Sequence, residues 1–227
     1  MKRNSEWKSI LGSAECREVL DRVADLRQKR EPVYPSEKDV FRAFEDCAFG
    51  DVRVVILGQD PYFNEDQAIG RAFAVSESTE KLPPSLKNIL KEVERDYPRG
   101  LMPEQTLESW AKQGVFLLNT TLTVAHGRSN SHANIGWKEA VTIPTLKKLS
   151  DEREHLVFML WGRHAGRFER FLDKQRHCVL KASHPSPRSV ARSSRSVASF
   201  EKCGHFREAN NYLREHGIEP INWTDRP

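Results

Sequence analysis

The run Val54-Val55-Ile56-Leu57 constrains this chain more than any other stretch. It is short, apolar and rich in β-branched residues, the composition of a strand buried on both faces. Gly58 stops it, and Gln59-Asp60-Pro61-Tyr62 follows. Pro61 fixes its own φ and drives Asp60 out of the helical region, so an acid and an aromatic are held stiffly just past the strand's carboxyl end. In open α/β sheets that edge is where ligands bind. An isolated Asp-Pro is more often a plain turn, so the weight falls on what accompanies it.

Three more apolar runs have the same character: Val115 to Leu118, Leu156 to Leu160 and His177 to Leu180. Between them the spacing predicts helices. Ser13 is a cap for a helix carrying Val19, Leu20, Val23, Ala24 and Leu26, ended by Pro32 and Pro35. Asp39 to Phe49 reads as a second short helix. Pro83-Pro84-Ser85 starts another, with Ser85 as N-cap and Leu86, Ile89, Leu90 and Val93 as its stripe. Thr106 to Gln113, Trp137 to Leu149 (despite Pro144), Ala165 to Leu172 and Phe200 to His216 are the remaining helical stretches. Phe63 to Lys81 and Thr120 to Asn134 are loops. Alternating strands and helices predict an α/β fold: one domain over residues 1–227, a central four-stranded parallel twisted sheet with helices on both faces, and an N-terminal helical segment (1–50) packed on it.

Composition narrows the function classes. At 227 residues the chain is long enough for a full core. No apolar run can cross a bilayer, and no hydrophobic stretch follows the basic Met1-Lys2-Arg3-Asn4, so no signal peptide and a cytoplasmic location are expected. Cys16, Cys47, Cys178 and Cys203 stand singly, without a Cys-x-x-Cys pair, which argues for free thiols and against zinc or iron–sulfur sites. Thirty-six Lys and Arg against 32 Asp and Glu leave a net charge of +4, which permits nucleic-acid binding only if the positive charge is local.

The four strands end in Gln59-Asp60, Asn119, Gly162-Arg163 and Ser183-His184, and a parallel sheet brings those ends to one edge. An acid, an amide, a histidine and two aromatics, Tyr62 and Phe73, then surround one pocket with no metal cage, no glycine-rich nucleotide loop and no cysteine nucleophile. That set suits a planar ring held by stacking and read at its hydrogen-bonding edge. Asp60 can assist attack of water or stabilise a developing cation, His184 can donate to an oxygen gaining negative charge, and Asn119 can pair with an amide-like edge. Taken singly each has a plainer reading: a strand-end amide, a turn histidine, a core phenylalanine.

Taken together they resemble a known family. Gly58-Gln59-Asp60-Pro61-Tyr62, Leu82-Pro83-Pro84-Ser85-Leu86, Leu107-Glu108-Ser109-Trp110, Gly114-Val115-Phe116-Leu117-Leu118-Asn119, Ser131-His132-Ala133, Asp173-Lys174-Gln175-Arg176-His177 and His184-Pro185-Ser186-Pro187 are similar, in order, to the motifs of family 1 uracil-DNA glycosylases. The match runs from about Asp51 to Trp223. The resemblance implies metal-free cleavage of the uracil–deoxyribose bond in single- and double-stranded DNA, with no cofactor. It implies that Asp60 positions water and stabilises the oxocarbenium-like sugar, and that a neutral His184 donates to uracil O2. Asn119 would read the uracil edge, Phe73 would stack, Tyr62 would exclude a thymine methyl, and Gln59 would contribute from the same loop. Pro84, Ser85, Gly162, Ser186 and Ser189 would pinch the DNA backbone. It further implies a monomer and a possible proteinaceous inhibitor as partner.

The chain departs from that pattern in three places. Phe63 stands where the family has histidine after the tyrosine, so slower or differently pH-dependent turnover is expected. Arg163 replaces a small residue after Gly162. Arg188 replaces a leucine wedge, and the loop after it, carrying Arg192 and Arg195 among serines, is longer by several residues; it reads as loose in the free protein and as an intercalation loop on DNA. Alternative readings are a catalytically weakened uracil-DNA binding protein and a glycosylase of shifted base or strand preference. An unrelated α/β hydrolase lacks its Gly-x-Ser-x-Gly elbow here.

Overall fold

A computed structural model describes residues 6–29, 32–194 and 197–224. Four parallel strands form its centre: β1 (Val54–Gly58), β2 (Val115–Asn119), β3 (Val157–Trp161) and β4 (Cys178–Ala182), in the order β2-β1-β3-β4. The chain leaves β1 to one side for β2, then crosses to the other for β3. The reversal puts a topological switch point between β1 and β3, the place where open sheets hold ligands.

Period-two alternation sends the strand residues to two cores. Val55, Leu57, Phe116, Leu118, Phe158 and Leu160 pack with α1 (Ala14–Gln28) through Val19 and Val23. The same core holds Leu146 and Leu149 of α3 (Ile143–Glu152). Val54, Ile56, Val115, Leu117, Val157 and Met159 face the other way. They meet Leu86, Ile89 and Val93 of α2 (Pro84–Asp96) and Phe206, Ala209 and Leu213 of α4 (His205–Glu215). Every residue of β1, β2 and β3 is buried, which is why these strands read as continuous apolar runs.

The segment before β1 closes the first core. Trp7 stacks on Phe116 at 5.2 Å and 13°, meets Phe44 and Phe49 edge-on at 5.3 and 5.1 Å, and donates its indole N–H to the Cys47 carbonyl at 3.0 Å. Ser13 caps α1 as expected, accepting from the Cys16 N–H at 3.1 Å.

Several boundaries differ from expectation, each for a local reason. The helix α2 starts at Pro84, so Ser85 lies in its first turn and is not its cap. A proline at the first position gives up an N–H that has no helical partner there anyway. The stretch from Trp137 is not one regular helix: Lys138–Thr142 is a π turn, and α3 begins after it with Pro144 in its opening turn, where a missing N–H costs little. The last helix begins at His205, because Gly204 takes φ 67° and breaks the path from Phe200. Val124–Ala125, within the stretch read as loop, pairs antiparallel with Val33–Tyr34 and anchors the chain after β2 to the segment after α1. Among the described residues no helix is long and apolar enough to cross a membrane, and the four cysteines are free.

Trp7→Ala should destabilise the protein by about 3–5 kcal/mol, the usual cost of removing a buried aromatic. Urea unfolding checks it: the midpoint should fall with an unchanged slope.

Candidate active site

The strand ends share one edge. Gly58 pairs with Asn119, Leu57 with Leu160 and Trp161 with Ala182. The segments leaving them line a single cavity of about 710 Å³. Gln59, Asp60, Tyr62, Phe73, Asn119 and His184 all face it. So do Ser85, Gly162, Ser186, Ser189 and Arg188. Pro84 is one residue removed from the lining, at the start of α2. Arg192 lies farther along its loop, and Arg195 falls outside the described residues.

Asp60 Oδ2 accepts two hydrogen bonds from the loop after β2, from the Asn130 backbone N–H at 2.5 Å and the Ser129 hydroxyl at 3.1 Å. Burial pushes its pKa above the ordinary aspartate value, and these two donors, with Gln59, work against that shift. Gln59 is itself fixed: its carbonyl accepts from the Thr120 hydroxyl at 2.7 Å and the Thr121 N–H at 3.0 Å.

His184 Nδ1 accepts the Ser186 N–H at 3.0 Å, and burial lowers the ring's pKa. The network therefore assigns a neutral imidazole with its proton on Nε2. Gly162, at φ 91°, is what lets the ring sit here. A Cβ at that position would come within 2.9 Å of His184 Cβ. Gly58 does the same for Asn119, whose Oδ1 would lie 2.2 Å from an added Cβ. Asn119 is 5% exposed, and its side-chain amide has no hydrogen-bond partner among the described residues. The amide opens onto the cavity.

Phe73 holds the left-handed backbone conformation at φ 64°. The Tyr62 hydroxyl donates to its carbonyl at 3.3 Å, and its ring leans on Trp161 at 5.6 Å and His184 at 6.0 Å. Burial raises the Tyr62 pKa, so the phenol keeps its proton and that bond. Phe63 also lines the cavity and offers no hydrogen bond to it.

Two functional neighbours escaped sequence reasoning. Ser129 sits in a stretch that reads only as polar loop. His164 follows the anticipated Gly162-Arg163; its Nε2 lies 2.9 Å from the Thr120 hydroxyl. That hydroxyl already donates to Gln59, so His164 donates to it, and burial pushes the ring's pKa down to about 4. No sequence signal marks either contact, because the partners are 69 and 44 residues apart.

The Arg188–Phe200 segment corrects an expectation as well. It is not a loose loop along its described length. Ala198 forms a parallel bridge with Ala182 and accepts from the Ser183 N–H at 2.8 Å. Ser183 Oγ accepts from the Phe200 N–H at 2.9 Å, and the Glu201 N–H binds the Val190 carbonyl at 2.9 Å. Among the described residues no group of three or more His, Cys, Asp or Glu could hold a metal ion.

Residues 44–214 match the model of the Uracil DNA glycosylase superfamily. The chain is 46% identical over 222 residues to the uracil-DNA glycosylase of Actinobacillus succinogenes, covering 96% of each chain. It is 45% identical over 226 residues to that of Proteus mirabilis, covering 97% of this chain and 96% of that one. Among solved structures it is similar to a variant of mimivirus UNG in complex with UGI. The TM-score is 0.89 at 28% identity, covering 97% of this chain and 88% of that one.

Removing a donor from an ionised carboxylate raises its pKa. Ser129→Ala should therefore move the Asp60 pKa farther up, while Asn130→Ala, which keeps the backbone N–H, should not. Carboxyl carbon NMR titration reads both.

Proposed function

The chain belongs to the uracil-DNA glycosylase superfamily, and from that footing we propose that it hydrolyses the uracil–deoxyribose bond of a nucleotide flipped out of DNA, with Asp60 and His184 dividing the chemistry. One observation carries the division: a carboxylate held by two donors, a neutral imidazole with Nε2–H and an open buried amide face the same cavity.

The steps follow from charge. As the N-glycosidic bond lengthens, its electron pair goes to uracil and positive charge grows on the sugar. His184 Nε2–H donates to uracil O2 where negative charge collects. Asp60 faces the cationic sugar, and water adds at C1′, giving up a proton to the carboxylate. Phe63 contributes nothing polar, so Ser129 and Asn130 carry the task of keeping Asp60 ionised. Asn119 reads the uracil edge, Phe73 stacks on the ring, Tyr62 occupies the space of a thymine methyl, and Gln59 supports the base from the same loop.

Flipping costs a few kcal/mol of stacking and pairing. Ser85 and Pro84 at the start of α2, Gly162, Ser186 and Ser189 offset it by close approach to phosphates. Arg188, at the cavity rim, enters the vacated gap, and Arg192 and Arg195 add salt-dependent phosphate contacts. The protein acts as a monomer, as one domain over residues 1–227, in the cytoplasm. A proteinaceous inhibitor would engage the same face; the mimivirus relative is in complex with UGI.

Free uracil release from a single-uracil oligonucleotide tests this reading and separates it from a binding module without catalysis. His184→Ala should cost about 10²–10³ in kcat, and Asp60→Asn should lower kcat with uracil-DNA binding retained. Because burial lowers the His184 pKa, no loss of activity should appear as pH falls through 6.5, the ordinary histidine value; the His184 limb lies below it. Arg188→Ala should weaken activity on duplex more than on single strands, and equal loss on both would refute the wedge.

A further inference from the structure

Arginines elsewhere in this protein are mostly occupied. Arg42, Arg71, Arg95 and Arg176 each hold a carboxylate at 2.5–2.6 Å. Arg163, Arg167 and Arg170 are exposed and have no carboxylate within ion-pair distance among the described residues. The acid on their own segment, Glu169, is taken by Lys174 at 3.3 Å and Lys181 at 2.7 Å.

The three stand on the short helix Gly162–Gly166 and the 3₁₀ turn Arg167–Phe171 that leave β3. Four α-helical or three 3₁₀ residues advance about 6 Å, so the three charges follow one another at even intervals along the segment. Arg163 lines the main cavity. Arg167 and Arg170 line a second depression, of about 160 Å³, with Lys138, Phe168 and Phe171. His164 lines both, so the two hollows adjoin. The Arg170 guanidinium lies 4.7 Å over the Phe171 ring, and Lys138 Nζ sits 3.1 Å from the Ala133 carbonyl. Glu139 is the one acid in the lining, against the cations Lys138, Arg167 and Arg170.

We propose that this furrow is a second phosphate-binding site, which grips the backbone of the uracil-bearing strand some nucleotides away from the flipped base, with Arg163 as the bridge from the cavity. The proposal rests on the glycosylase reading. It adds that substrate length, on one side of the uracil only, sets affinity. Exposed guanidinium groups lining a shallow depression suit this role, because their planar forks reach phosphate oxygens without needing a closed cleft.

The test compares single strands bearing one uracil, about 5 and about 20 nucleotides long, extended on the 5′ or the 3′ side, over a range of salt. Wild type should show a steeper fall of kcat/KM with salt on the strand extended toward the furrow. Arg167→Ala/Arg170→Ala should flatten that slope by about 1.4, at roughly 0.7 per lost phosphate contact, through KM and not kcat. On the short strand the double variant should match wild type, and Arg167→Lys/Arg170→Lys should keep most of the slope. An unchanged slope on both extended strands, or the same change on the short one, overturns the furrow. If wild type releases no uracil from any strand, the glycosylase reading fails instead. Anisotropy of a labelled uracil-free strand then decides the furrow alone, which is overturned if the double variant binds it as tightly as wild type.

Discussion

The proposed chemistry depends on the charge of the Asp60 carboxylate, and two opposing effects act on that charge. Burial favours the neutral acid, while two hydrogen bonds to Oδ2 favour the anion. Both donors come from the loop after β2, which lies beside β1 in the sheet. That loop is itself anchored: Val124–Ala125 pairs with Val33–Tyr34, the His126 N–H binds Pro32, and the Gly127 N–H binds Phe63. The small antiparallel pair thus ties the N-terminal segment to the donors that hold the acid.

Close packing supplies the second constraint. Gly58 and Gly162 end or follow the two strands at the switch point, and each leaves room for one pocket side chain, Asn119 and His184. Phe73 is kept in a backbone conformation that phenylalanine rarely takes by the Tyr62 hydroxyl and by two neighbouring rings. A cavity with such walls is ready before its ligand arrives, and the proposed chemistry depends on that, because hydrogen bonds aimed in advance need no reorganisation as charge develops.

Charge is distributed with the same economy. The net charge of +4 is small, yet two guanidinium groups without a carboxylate partner among the described residues, Arg163 and Arg188, line the cavity, while Arg95 and Arg176, outside its lining, hold acids. The segment carrying Arg188 is tied to the edge of β4 at Ala198 and to Ser183, so it presents its charge from a fixed base.

Much of this was legible in the residues themselves. Four apolar runs announce parallel strands, and three of them are buried along their whole length; the fourth, β4, lies at the sheet edge and is only partly covered, so the expectation of a fully buried strand fails there. Asp60, Asn119 and His184 announce a shared edge, because strand period and connection handedness leave few other arrangements. Local rules also explain the Ser13 cap. They fail where two local preferences compete, as at Pro84 and Ser85, or where a turn is settled by packing, as in Lys138–Thr142. What only the tertiary structure decided is which distant groups meet: Ser129 on Asp60, Thr120 between Gln59 and His164, Ala198 on Ala182. Hydrogen bonds between residues far apart in sequence leave no periodic trace along the chain, since their partners are chosen by where the strands set the loops and not by any spacing between the residues.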